Sequence, residues 1–226
     1  MWAKVFLAYA VMWSGLATAA ERQNPMYILP NVEGLMQCDE SVGLKQLVHA
    51  SEAFRYCMDK GQHGAQALTR LLDTLEPGGP QGKVQVGYTL TVQLLELYRR
   101  QSNGQWALDD KHLDAIMKLM AEAKRPVVLY LSSSHFDSIG ALPAELVKDP
   151  ANLMKLADGR APSLSYFGYP INPYTLRPDE SIPVNQYRYA ALREIARRVK
   201  QLPLPVQDLI VAITLAGLTQ LRLDSN

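Results

Sequence analysis

Residues Arg125–Asp137 read RPVVLYLSSSHFD. Pro126 opens an almost unbroken apolar run, Val127-Val128-Leu129-Tyr130-Leu131, and a polar cluster, Ser132 to Asp137, closes it. A short apolar run rich in β-branched and aromatic residues predicts a strand buried on both faces. Polar and ionisable residues bunched at the C-terminal end of such a strand occupy the place where α/β sheets and barrels put their chemistry.

Working outward, the flanking chain reads as alternating strands and helices. Upstream, Asp109 is placed as an N-cap, with Leu108 and Leu113 as a hydrophobic staple across it. The helix it opens carries Leu113, Ile116, Met117 and Met120 as its stripe and ends near Lys124. Further back, Val84–Leu90 predicts a strand, Thr91–Arg100 its continuation as a helix, and Ser102-Asn103-Gly104 a turn. With parallel strands, the order strand, helix, helix, strand is a right-handed βαβ crossover.

Downstream, Asn185 is expected to cap a helix with the stripe Leu192, Ile195, Ala196 and Val199, and Asp208–Leu215 to form another buried strand. Residues 138–184 read as a long irregular segment with a short helical piece near Pro143–Leu156. Segments of that length inside a compact fold are usually functional. Gly78–Lys83, GGPQGK, lacks the spacing of a phosphate-binding loop and precedes a strand where such a loop would follow one. It reads as a linker.

The N-terminal part divides differently. Lys4, the apolar run Val5–Leu16 and Ala17-Thr18-Ala19 have the three-part pattern of a signal peptide. Its apolar stretch is short for a bilayer. The expected division is a signal peptide at 1–19, a helical appendage and linker at 20–82, and an α/β domain at 83–226. Export places the mature chain in the periplasm or outside the cell, with no stable membrane insertion after cleavage. Residues 24–40 read as an extended lead-in. Two helices follow: one from Leu44 to Met58, stopped by Gly61, and one carrying Ala65, Leu68, Leu72 and Leu75, broken by Glu76–Pro80.

An oxidising compartment makes Cys38–Cys57 the expected disulfide. One straight helix between them would hold their Cα atoms about 28 Å apart, whereas a disulfide needs about 4.4–6.8 Å. The bridge therefore requires residues 38–44 to fold back along the following helix. Two buried thiols are the other outcome.

Lysine and arginine number 23 against 22 aspartates and glutamates. That balance gives no support to a nucleic-acid partner. Nucleophile-elbow, HExxH, CxxC and Walker patterns are missing from the sequence, and His49, His63 and His112 lack ligand spacing. No metal or cofactor is expected. His135 and Asp137 stand at the strand end, where they would contact a hydroxylated ligand or satisfy loop backbone groups.

The second candidate is Ser165–Tyr174, SYFGYPINPY, which interleaves rings with prolines and an amide. Tyrosine joins an apolar ring face to a polar tip, which suits the mixed surfaces of a sugar. Prolines lower the ordering cost of such a loop. Tyr166, Tyr169, Asn172 and Tyr174 complete the expected substrate-binding set.

The strands KVQVGYTL, RPVVLYLSSSHF and DLIVAITLAG together give residues 83–217 a resemblance. The chain resembles the N-terminal half of the (β/α)8-barrel glycoside hydrolases of clan A, as found in exported bacterial polysaccharide-active proteins. That likeness implies a partial barrel of about three parallel strands and a polysaccharide or oligosaccharide partner. About 145 residues follow the linker, against about 250 for a closed eightfold barrel. In that group one catalytic glutamate follows the fourth strand and a second lies on the seventh. After Ala216-Gly217 this chain has Leu218-Thr219-Gln220, so no catalytic residue is assigned and hydrolysis stays open. The alternative is a non-catalytic envelope protein that binds a glycan or a protein through the Tyr166–Tyr174 loop.

Overall fold

The computed structural model describes residues 25–31, 64–132, 140–162, 164–166 and 169–214. The segments expected to form a signal peptide (1–19) and the Leu44–Met58 helix, together with Cys38, Cys57, His135, Asp137 and everything after Thr214, lie outside them.

The strand that opened the sequence reading is β6, Val127–Ser132, and it is central. It lies between β3 (Tyr88–Gln93) and β9 (Ile210–Thr214), parallel to both. Pairing with β3 holds register for all six residues, from Tyr88↔Val127 to Gln93↔Ser132. Pairing with β9 slips by one residue between Val127 and Val128. The lead-in is built into the same arrangement. β1 (Met26–Ile28) pairs in parallel with β2 (Val84–Val86), and Asn31 bridges Thr89. Parallel strands thus succeed one another in chain order, without the reversal that marks a doubly wound sheet.

β2 and β3 are one extended run divided at Gly87, not the single strand Val84–Leu90. The Gly87 N–H bonds back to Ile28 while the next residue, Tyr88, bonds forward to Pro126. The chain is exchanging neighbours there, and the Pro126 carbonyl presses onto the Gly87 α-carbon. A Cβ at that position would stand 1.9 Å from the Pro126 oxygen. Only glycine fits this approach.

The expected helix over Thr91–Arg100 is overturned. β3 continues to Gln93, a 3-10 turn spans Leu94–Leu97, and β4 (Tyr98–Arg100) forms an antiparallel hairpin with β5 (Trp106–Leu108). Six registered pairs with β6 outweigh a local 3.6-residue pattern, as sheet context commonly does. The crossover to β6 is then made by α2, Asp110–Ala123. Here the cap expectation holds, for the Asp109 carboxylate accepts the His112 N–H.

β6 is buried alternately, not on both faces. Tyr88, Leu90 and Val92 of β3 and Val127, Leu129 and Leu131 of β6 belong to the main core. The same core takes Leu113, Ile116 and Met120 of α2, Ala191 and Ile195 of α4 (Pro183–Gln201), and Ala65, Leu68 and Leu72 of α1 (Ala65–Leu75). The α1 helix is therefore packed into the fold. Arg125, 2 % exposed, ties it there through ion pairs with Asp73 and Glu76 and a bond to the Glu76 carbonyl.

Residues 140–182 fold as a small lobe between β6 and α4. It holds α3 (Ala141–Leu146), a 3-10 turn at Pro150–Asn152, and the antiparallel hairpin of β7 (Leu164–Tyr166) and β8 (Tyr169–Ile171). Asn185 is not the cap of the helix that follows. That helix begins at Pro183, whose fixed φ and missing N–H suit a first helical position. The Val184 N–H is taken instead by the buried side chain of Asn152, 32 residues earlier. Asn185 donates to the Arg177 and Asp179 carbonyls and so closes the lobe onto the helix. A short α5, Leu204–Gln207, leads into β9.

Candidate functional site

All strands of the parallel arrangement end on one edge, which is where open and closed α/β sheets bind their ligands. The half-exposed face of the sheet is graded toward that edge. Its first cross-strand row is Thr89 and Val128, with Ala212 beyond. The second is Thr91, Tyr130 and Thr214, and the last is Gln93 beside Ser132. Partners in a parallel ladder point to the same side about 4.8 Å apart. The two outer rows therefore present hydroxyls, a phenol and an amide to one surface, with no formal charge among them. Thr214 Oγ1 is buried and has no hydrogen-bond partner among the described residues.

Two longer features leave this edge. After Gln93, the 3-10 turn buries Leu94, Leu95, Glu96 and Leu97 together. Glu96 is 4 % exposed, a carboxyl held among leucines between α3 and α4. The next described residue after Ser132 is Gly140. There φ is +151° and an added Cβ would lie 3.7 Å from the Glu96 Cγ.

The tyrosine segment follows within the same strand-to-helix connection. Tyr166 and Tyr169 are cross-strand partners in the β7–β8 hairpin. Asn172 is exposed just beyond β8. Tyr174 is elsewhere: it is fully buried, its hydroxyl donates to the Pro143 carbonyl at 3.1 Å, and the Arg188 guanidinium lies 5.5 Å from its ring centroid. Burial pulls the Arg188 guanidinium down to about 10. Tyr174 holds the lobe together from below and offers no surface to a ligand.

Of the expected set, Tyr166, Tyr169 and Asn172 fall on or beside one hairpin, Tyr174 lies in the lobe's core, and His135 and Asp137 fall outside the described residues. Sequence reasoning missed Gln93, Thr214 and Glu96. The signal for Glu96 was present in Leu94-Leu95-Glu96-Leu97, a single acid inside an otherwise apolar run, but a helical assignment would have turned it to solvent. Among the described residues, no group of acids, histidines and cysteines has the arrangement of a metal site. No protein-family model, curated protein or solved structure matches the chain.

Proposed function

We propose that the chain is an exported carbohydrate-active protein, and that its parallel strands are part of a (β/α)8 barrel of the glycoside hydrolase kind. One observation carries this: successive parallel strands in chain order end on a shared edge whose side chains are uncharged hydrogen-bonding groups. Sugars are recognised by such groups together with aromatic faces, and Tyr166 and Tyr169 sit in the connection that leaves the same edge. Retaining hydrolysis needs two carboxylates about 5–5.5 Å apart. Glu96 is the buried acid that the described residues place beside this edge. Glycan binding is therefore the assigned property, and turnover is what the assay decides.

The test is affinity electrophoresis of the mature chain through gels containing a panel of polysaccharides, with release of reducing sugar measured in parallel. At least one polysaccharide retards the chain, and Tyr169→Ala weakens that retardation. Free migration through every gel sinks the proposal. Sugar release abolished by Glu96→Gln at full binding makes the protein a hydrolase that uses this acid. A second reading, a non-catalytic envelope protein binding through the hairpin, is favoured by the cross-strand pairing of Tyr166 with Tyr169. Retention without turnover, lost in the Tyr166→Ala, Tyr169→Ala double variant, supports it. Among the described residues no helix is long and apolar enough to cross a membrane.

A further inference from the structure

We propose that the open face of the parallel sheet is closed by a second copy of this chain, two half-barrels meeting about a twofold axis to complete one (β/α)8 barrel. The proposal rests on the barrel reading above and names what completes it. β1, the β2–β3 run, β6 and β9 stand side by side in chain order, all of them parallel. A barrel of this kind closes at eight parallel strands, which two copies of the arrangement supply. A twofold axis along the barrel leaves every strand pointing the same way and sets β9 of each copy beside β1 of the other. Both junctions are then parallel, like the pairings already within the sheet. Closed twofold dimers are the commonest homo-oligomers.

The surfaces that such a dimer joins are exposed and apolar at the edges. Met26 and Ile28 of β1 are 66 % and 50 % exposed, and Ile213 of β9 is 50 % exposed. An edge strand of that composition is a template for pairing with another chain. Leu90 and Leu129 point into the core that the helices share. On the opposite face Val128 and Tyr130 are only half-buried, and Ala212 beside Val128 is exposed. Parallel sheets are characteristically covered on both faces.

Charge and size fit the same occupant. A twofold interface brings this face onto its own copy, so a charged residue there would meet its like. None of its rows, from Thr89, Val128 and Ala212 up to Gln93 and Ser132, carries a formal charge. Four strands about 4.8 Å apart and about six residues long present roughly 400 Å² of projected face per copy. That is about half of the roughly 800 Å² per partner buried in a stable interface, and the two edge strands add to it. Because all the strands run one way, both C-terminal edges meet at one end of the barrel. The glycan cleft is then lined by Gln93 and Ser132 of both copies, and a lone chain holds half of it.

The experiment is sedimentation equilibrium of the mature chain, with gel retardation by polysaccharides measured on the same samples. The parent is expected to sediment at twice the chain mass. Ala212→Arg charges the enclosed face and Ile213→Lys charges the edge, both at exposed positions, so each variant keeps the parent's far-UV circular dichroism while its dimer dissociation constant rises at least tenfold. A parent that stays monomeric overturns the proposal, and if it is still retarded by a polysaccharide the glycan reading survives. A dimer that neither substitution weakens joins through another surface and overturns it equally. A dimer weakened by both substitutions but retarded by no polysaccharide supports the closure and sinks the glycan reading alone.

Discussion

Gly87→Ala is the most direct test of the strand arrangement. The added methyl carbon would lie 1.9 Å from the Pro126 oxygen, 2.7 Å from the Pro126 carbonyl carbon and 2.7 Å from Leu29 Cδ2. Real Cβ contacts stay beyond 3.0 Å, so the backbones of β3 and β6 must separate by more than about 1 Å at this point. The bond from the Tyr88 N–H to the Pro126 oxygen, 2.9 Å in the structure, cannot survive that shift. Losing it and leaving buried groups unsatisfied costs about 1–3 kcal/mol. Overpacking against Leu29 and Pro126 costs about 1–3 kcal/mol more. The sum is roughly 2–6 kcal/mol, and a domain of this size loses about 2–4 °C per kcal/mol, so Tm falls by roughly 4–24 °C. Urea and thermal melts followed by far-UV circular dichroism measure it. Gly82→Ala is the control, because its Cβ would meet nothing nearer than the Val84 carbonyl at 3.4 Å. A Gly87→Ala variant that melts within about 2 °C of the parent would refute the reasoning. The exchange of neighbours at Gly87 would then be wrong, and with it the alignment of β1 beside the central sheet.

Two further outcomes follow from ion pairs that the fold assembles. Glu76 pairs with buried Arg125 and also accepts the Val86 N–H at 2.8 Å, whereas Asp73 is largely exposed. Glu76→Ala should therefore cost about 2–4 kcal/mol by leaving both donors unsatisfied, against under about 1 kcal/mol for Asp73→Ala; comparable losses in urea melts would contradict the asymmetry. Glu194 is held down to about 2 by hydrogen bonds from Arg197 and then Arg198. A carboxylate depressed in the folded state contributes stability above its unfolded pKa, about 4.3, and that contribution is lost as pH falls toward 2. Glu194→Gln should thus lower Tm modestly at pH 6 and not at pH 2, and an equal difference at both values would exclude the ionic account.

Legibility of the fold tracked how local each signal was. Val127–Leu131 is bounded by a proline and a serine cluster and reads as a strand without help from the rest of the chain. The Asp109 cap acts on an N–H three residues away. The α1 stripe, Ala65, Leu68 and Leu72, is a spacing internal to one helix. Each of these was recoverable because its cause lies within a few residues of its effect.

The candidate site was less legible for the same reason. Tyr174 looks like a ligand contact in SYFGYPINPY. Its partners, Pro143 and Arg188, are 31 and 14 residues away and put it in the lobe's interior. Asn185 has the residue type of a cap, but Asn152 does that work from 32 residues earlier.

By itself, then, the sequence determined the α/β class, the central strand with its polar end, and the position of the aromatic segment along the chain, though not that it pairs as a hairpin. Those follow from periodicity, capping and turn chemistry, which act over one or two turns of backbone. Tertiary structure alone decided that Met26–Ile28 joins the parallel strands and that Leu94–Leu97 leaves the helical pattern for a buried 3-10 turn. It also decided that Glu96, Gln93 and Thr214 reach the edge where Ser132 ends. Those outcomes depend on strand register and on which distant surface each segment packs against, and no spacing within a segment encodes its partner.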